Sequence, residues 1–240
     1  MQYSIDVHTH TIVSGHAYST LLENAKYASE AGIKILGVTE HGPSMPGSPH
    51  IWYFSNYRVM PRKLYDVTML YGCEANITDY DGNLDLPVHL QSSMDILIAS
   101  LHDPIMKVDE SRELNTTAFL NSMDNPNIHI IGHSGNPRFP IFEEQLVKKA
   151  KEKNILIEIN NSSFVTSRLG SKDTCRKIAL LCKEYGTKVI INSDAHFCNA
   201  IGNFHEAIDL LQDIKMPEEL IINRSEEEFL SFLKEKGKVF

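Results

Sequence analysis

At 240 residues the chain is long enough to bury a substantial core in one domain, 1–240, and α/β barrels commonly reach this size as a single unit. Its formal charge of −8 argues against a broad nucleic-acid or membrane footprint, which would need basic patches or stripes that the sequence lacks. The four cysteines, at 73, 175, 182 and 198, form no Cys-x-x-Cys pair, and neither a charged n-region with an apolar h-region nor a run of 18 apolar residues is present, so a reducing cytoplasm is the expected compartment.

Seven short apolar or alternating runs suit buried strands by length and β-branched content. The first, YSIDV, is followed by His8, His10 and His16. A helix is predicted in STLLENAKYASEAG, with Ser19 as N-cap and Gly32 as stop. The second strand, KILGVT, leads to Glu40 and His41, and then to a long connection over 42–66 rich in proline and aromatic residues. Loops of that length at a strand end are often functional. The third strand, VTMLYG, leads to Glu74, and the fourth, DILIASL, to His102 and Asp103. IHIIG leads to His133, and ILIEI carries Glu158 and ends at Asn160 and Asn161. The helix SKDTCRKIALLCKEYG is bounded by Ser171 and Gly186 and carries Cys175 and Cys182 as core residues. The seventh strand, KVIIN, leads to Asp194 and His196, and the final helix SEEEFLSFLKEKG opens with a capping box from Ser225 to Glu228.

Strands alternating with helices imply a parallel sheet with right-handed crossovers, open or closed into a barrel. In a parallel barrel the C-terminal strand ends form the active face, so the polar group that follows every run would converge there. His8 and His10, at i and i+2 on an extended segment, share a face roughly 6.6 Å apart along the strand. Asp194 and His196 repeat the spacing where closure would bring the last strand beside the first. Histidine and carboxylate ligands suit zinc, manganese or iron better than magnesium. A lone His-x-His is equally a hydrogen-bonded pair; the pattern at successive strand ends makes the case for metal. His50, His89, His129 and His205 fall outside it: His89 and His205 as helix or surface residues, His129 as a packing residue, and His50 undecided in the long loop. Asp6 is either an orienting partner for a ligand or an ordinary polar strand residue.

The ordered motifs DVHTH, GVTEHG, GCEANI, LHDP, GHSGNPR, EINNSSF and SDAH, spread over nearly the whole chain, resemble the PHP (polymerase and histidinol phosphatase) superfamily, most closely its stand-alone YcdX-type phosphatases. The resemblance implies a distorted (βα)7 barrel with a trinuclear metal centre at the C-terminal ends of the strands, usually described with zinc; manganese or iron are the alternatives. It also assigns ligands: His8, His10, Glu74 and Asp194 to a first ion, His16, His41 and His196 to a second, and bridging Glu74 with His102 and His133 to a third. One departure is Ser134, where relatives often have proline after the ligand histidine.

Neither a G-x-S-x-G elbow nor a G-x-x-x-x-G-K-[ST] loop is present, and a metal-bound hydroxide would make a side-chain nucleophile unnecessary. Hydrolysis of a small phosphate monoester is therefore expected. Three divalent ions would bring the formal charge from −8 to about −2 and concentrate positive charge at one mouth. Arg58, Arg62, Arg138 and Arg168 are candidates to grip phosphate oxygens, although each also fits a solvated surface role. Asn160 and Asn161 are candidates to orient a ligand or the substrate, and Trp52, Tyr53 and Phe54 could wall the site or simply anchor the loop. The competing functions are a phosphodiesterase or nuclease acting on short nucleic acids, a metal-binding protein without turnover, and amidohydrolase-type C–N cleavage. No membrane partner and no extended nucleic-acid surface are expected; the sequence leaves the oligomeric state open.

Overall fold

The computed structural model describes residues 3–165 and 167–239. In chain order its elements are β1 Ile5–Thr9, α1 Leu21–Glu30, β2 Ile35–His41, α2 Ile51–Ser55, β3 Lys63–Leu64, β4 Val67–Asn76, α3 Val88–Gln91, β5 Ile96–Ser100, α4 Arg112–Ser122, β6 Ile130–Ile131, α5 Glu143–Glu152, β7 Leu156–Asn160, α6 Ser162–Val165, α7 Ser171–Tyr185, β8 Val189–Asn192, α8 His205–Asp213 and α9 Glu226–Glu235. Seven strands pair in parallel in the order β1-β2-β4-β5-β6-β7-β8, each overlapping one of the seven predicted runs. The short β3 lies off this path and pairs antiparallel with the start of β4. Among the described residues no helix is long and apolar enough to cross a membrane.

The sheet nearly closes into a barrel. Thr9 and Ala195 form a parallel bridge, and His10 N donates to Ala195 O at 2.9 Å. Deeper in the seam, side-chain amides replace the ladder. Val7 N donates to Asn192 Oδ1 at 3.0 Å, while Asn223 accepts from Ile191 N at 2.8 Å and donates to the carbonyls of Ile5 and Ile191 at 2.9 and 2.7 Å. The barrel interior is filled by Ile5, Val7, Ile35, Leu70, Ile96, Ile98, Ile130, Leu156 and Ile190, and α9 plugs its lower end with Phe229, Phe232 and Leu233. A second apolar layer, including Ala28, Phe119, Leu146 and Ile178, lies between the strands and the surrounding helices. Continuing the inward rows by two or four residues from Leu70, Ile98, Leu156 and Ile190 leads to Glu74, Ser100 and His102, Glu158, and Asn192 and Asp194, so the apolar plug gives way to polar groups toward the upper mouth.

On β1 the row would fail without a bulge. Asp6 opposes Leu36 but Thr9 opposes Val38, so three steps on β1 match two on β2. The extra residue lets Val7 face the lower core while His8 and His10 also reach the interior.

Two local expectations need correction. The N-cap of α1 is Thr20, whose side chain accepts from Glu23 N in a full capping box, and not Ser19. Ser19 is buried and its Oγ accepts from Cys198 N at 2.9 Å, a tertiary contact that outcompetes local capping. Ser171 is the first helical residue of α7, with Gly170 in the cap position; its Oγ donates to Arg168 O. At α9 Ser225 does cap Glu228 N, while the Glu228 carboxylate pairs with Arg224.

Candidate metal centre

All nine residues singled out as possible ligands meet at the C-terminal mouth of the barrel. Glu74 sits at their centre, fully buried, with its two oxygens facing different partners. Oε2 lies 3.3 Å from His8 Nε2, 3.6 Å from His10 Nε2 and 2.7 Å from His41 Nδ1. Oε1 lies 2.7 Å from His133 Nε2 and 3.3 Å from His102 Nε2, and accepts from Ser100 Oγ at 2.8 Å. Asp194 Oδ1 is 3.5 Å from His8 Nε2 and 3.2 Å from His10 Nε2. At the outer edge His16 Nε2 stands 3.1 Å from His41 Nε2 and 3.2 Å from His196 Nε2.

The contacts of Glu74 with His41 and His133 at 2.7 Å are of hydrogen-bond length, whereas the longer ones fit a cation between the side chains better than a hydrogen bond. Four ligand atoms at about 2.0–2.2 Å from a tetrahedral ion lie about 3.3–3.6 Å from one another. The contacts linking His8 and His10 to Glu74 and Asp194 span 3.2–3.6 Å. His8 Nε2, His10 Nε2, His41 Nδ1, His102 Nε2, Glu74 Oε2 and Asp194 Oδ1 are moreover buried without a hydrogen-bond partner. Six such atoms at one spot would be costly to bury unless something charged satisfied them together.

The outer nitrogens of the rings are held from behind, which aims the inner ones. His8 Nδ1 donates to Glu158 Oε1 at 2.7 Å, His102 Nδ1 to Asn76 Oδ1 at 2.7 Å, and His196 Nδ1 to the Asp194 carbonyl at 3.0 Å. Ser14 Oγ accepts from His10 Nδ1 at 3.3 Å and from His41 N at 3.1 Å while donating to Glu40. Such bonds fix tautomer and ring orientation in metal sites. Glu158 also accepts from His133 N at 2.8 Å and from Asn192 Nδ2 at 2.9 Å.

Electrostatics follow from burial and crowding. Burial alone would depress His8, yet Glu158, Glu74 and Asp194 hold its pKa well above the ordinary value. Burial and the neighbouring His41 and His196 drive His10 well below it and bring His16 to about 4. Burial, aided by Arg168, lowers His133 to about 4. Glu74 and Asp194 stay ionised against the cost of burial, His8 being the largest opposing influence on each. Two residues of the cluster adopt left-handed backbone, His133 at φ 25° and Asp194 at φ 54°. Non-glycine residues pay about 1–3 kcal/mol for such conformations, which persist where surrounding structure imposes them.

Above the cluster opens a cavity of about 720 Å³, lined among others by His16, His41, His102, Asn161, Arg168 and Asp194. Of the candidate substrate contacts, Arg168 fits best: its guanidinium lies in this wall and donates to Asp194 Oδ2 at 3.0 Å. Asn161 lines the cavity but is tied to α8, its Oδ1 accepting from Ala207 N. Asn160 lies beneath and donates to Glu158 and Asp194, so it orients carboxylates and does not face the cavity. The other arginines are corrections. Arg62 pairs with Asp95 at the start of β5, the far end of the sheet, and Arg58 is exposed on the same outer path, because the 42–66 connection descends the barrel wall to the start of β4. Arg138 pairs with Asp103 and does not line the cavity. Of Trp52, Tyr53 and Phe54, none lines the cavity; Phe54 is buried in the outer core and Tyr53 packs against it, which matches the anchoring alternative for these two, whereas Trp52 is exposed.

Asp6 accepts from Ser193 N and Gly202 N at 3.1 and 2.9 Å, so it clamps the segment bearing Asp194 and makes no hydrogen bond to a histidine of the cluster among the described residues. His129 is buried with Nδ1 accepting from Leu97 N at 3.0 Å, His50 caps α2, and His89 and His205 are exposed. The orienting roles of Asn76, Ser14 and Ser100 were missed. Asn76 and Ser100 carry a signal, standing two residues from Glu74 and from His102 on the same face, whereas Ser14 carries none.

A parallel α/β barrel with histidines and carboxylates gathered at its C-terminal mouth is an arrangement that can hold divalent ions for hydrolysis. The chain belongs to the PHP domain family, which it matches over residues 6–162. A probable phosphatase of Clostridium novyi (strain NT) is 61% identical over 239 residues, covering 100% of this chain and 98% of its own. A probable phosphatase of Caldanaerobacter subterraneus subsp. tengcongensis is 51% identical over 234 residues, covering 98% and 92%. Among solved structures, the histidinol phosphate phosphatase of Lactococcus lactis subsp. lactis, complexed with zinc, L-histidinol and phosphate, shares the fold with a TM-score of 0.64 at 16% identity, over 90% of this chain and 95% of that one.

Proposed function

We propose that this chain, a phosphoesterase by family and relatives, hydrolyses small phosphate monoesters with three divalent ions held at the cavity floor, zinc first and manganese or iron as alternatives. His8, His10, Glu74 and Asp194 would hold one ion, His16, His41 and His196 a second, and His102 and His133 with the bridging Glu74 a third. The observation that carries this reading is the convergence of unpartnered buried ligand atoms beneath a cavity that has an arginine in its wall. When bound, such ions lower the pKa of coordinated water to roughly 7 and offset phosphoryl charge.

The chain's own groups supply the rest. Bonds from Glu158, Asn76, Ser14 and the Asp194 carbonyl to the ring nitrogens hold the imidazoles in place before substrate arrives. Arg168 reaches the cavity with donors to spare beyond its bonds to Asp194 and Ser167, and a guanidinium so placed grips phosphate oxygens in a fork. No other lysine or arginine lines the cavity among the described residues, which favours one phosphate on a small molecule over a polymer backbone.

Chelator-stripped protein should be inactive toward p-nitrophenyl phosphate and regain turnover with zinc or manganese, and His102→Ala should not regain it. Arg168→Ala should raise KM about tenfold. Stripped and reloaded protein that binds metal yet turns over no monoester would sink the proposal.

A further inference from the structure

The rim of the cavity is chemically unlike its floor. Tyr18, Val165 and Phe197 line it and are 75%, 53% and 49% exposed, and Met45 and Pro104 continue the apolar wall. Single exposed apolar side chains are ordinary, but several around one opening mark a place where a ligand is received. The segments that carry the two rings are held together by hydrogen bonds. Tyr18 N donates to His196 O at 2.9 Å, and Cys198 N donates to Ser19 Oγ at 2.9 Å, so Tyr18 and Phe197 stand on paired segments beside His16 and His196. His16 and His196 are the members of the histidine cluster that reach solvent. A leaving group departing from the cluster on its open side thus passes the two aromatic side chains.

Charge narrows the choice further. Arg168 is already shared with Asp194, and Asp103 stands on the rim beside Arg138, its ion-pair partner. A second anionic group on the substrate would find no uncommitted lysine or arginine among the described lining residues and would meet two carboxylates.

Resting on the monoesterase reading above, we infer that the preferred substrates are aryl phosphates, whose flat uncharged ring lies against Tyr18 and Phe197. Aromatic pairs favour offset or edge-to-face contact, and both rings are exposed enough to offer it. In the reaction water's oxygen bonds to phosphorus, the bond from phosphorus to the aryl oxygen breaks, and that oxygen takes a proton from the water, giving a phenol and inorganic phosphate.

The test compares kcat/KM for 1-naphthyl phosphate and glycerol 2-phosphate in the metal-loaded parent, Phe197→Ala and Tyr18→Ala. Aryl esters are intrinsically more reactive, so the quantity read is the change in the aryl-to-alkyl ratio caused by each substitution, in which that reactivity cancels. The ratio should fall about tenfold in Phe197→Ala and severalfold in Tyr18→Ala; an unchanged ratio in both overturns the inference. Calorimetry with phenylphosphonate and methylphosphonate separates this from failure of the monoesterase reading. If no ester turns over, tighter binding of phenylphosphonate that is lost in Phe197→Ala still supports the aromatic rim, and equal affinities refute it.

Discussion

Glu158 is a buried carboxylate in a strand that otherwise reads as apolar, and such a charge persists only with dedicated partners. It has them in His8, His133, Asn160 and Asn192, and despite burial the positive charge of His8 keeps its pKa below the ordinary value. Glu158→Gln keeps the shape but removes the charge behind His8, so metal affinity measured by competition with a chromophoric chelator should fall about 10–100-fold. An affinity within twofold of the parent would show that Glu158 serves only the fold. His129 gives a second residue-scale prediction, away from the metal cluster. Burial, with smaller contributions from Lys238 and Lys236, lowers its pKa from 6.5 to about 3. Between those values the unfolded chain binds a proton that the folded one refuses, so this contribution to stability is complete above pH 6.5 and declines as pH falls toward 3, by about 1.4 kcal/mol per unit. His129→Leu should be less stable at pH 7, because Leu97 N loses its acceptor, yet should lose less stability than the parent on acidification to pH 4.5. Parallel stability curves would refute this. The residues proposed as ligands stand out in the sequence because histidine and carboxylate at strand ends have few structural uses. Where Arg58 and Arg62 lie was not legible, since nothing in an aromatic loop reveals which way it runs down the barrel.

At the scale of elements, the seven strands could be read because β-branched runs bounded by turns have few other uses. What the residues did not reveal was the bulge in β1, which brings His8 and His10 to the interior; alternation alone places them on one face without saying which. The two-residue β3 and the one-turn α3 are shorter than any periodicity can register, and the cap of α1 was misplaced by one residue because Ser19 has a tertiary partner. Gly72 shows how closely the strands approach. A Cβ there would lie 2.1 Å from the backbone oxygen of Ile96 on β5 and 3.0 Å from the Thr39 methyl on β2. The obstacle is backbone and cannot rotate away, and Glu74 follows two residues later on the same strand. Gly72→Ala should therefore destabilise the protein by at least about 1–3 kcal/mol and weaken metal binding, as read by urea unfolding and chelator competition. A stable variant with parental metal affinity would mean that the strands can separate without moving Glu74.

At the scale of the whole molecule, closure is the step that assembles the site, because His8 and His10 leave β1 on one side of the seam and Asp194 follows β8 on the other. Little ladder crosses that seam, and Asn223, buried and distant in sequence from both strands, serves as backbone for it through three hydrogen bonds. Nothing near Asn223 in the sequence announces this role, since an asparagine ahead of a helix ordinarily reads as part of a turn. Removing it in Asn223→Ala strands one donor and takes a partner from two acceptors inside the barrel, at a cost of about 1–3 kcal/mol for the unpaired donor. For a chain of this size a loss of about 3 kcal/mol lowers Tm by roughly 6–12 °C. The metal then distinguishes a local defect from a global one. An ion that binds only the folded state at 100 times its Kd adds about 2.7 kcal/mol of stability, so zinc should raise the Tm of the chelator-treated parent. If the seam aligns the two halves of the first ligand set, the variant binds zinc more weakly and its zinc-induced rise in Tm should be smaller than the parent's at the same concentration. An equal rise in both would mean that Asn223 holds the lower barrel shut while His8, His10 and Asp194 are aligned independently from above, through the bridge between Thr9 and Ala195.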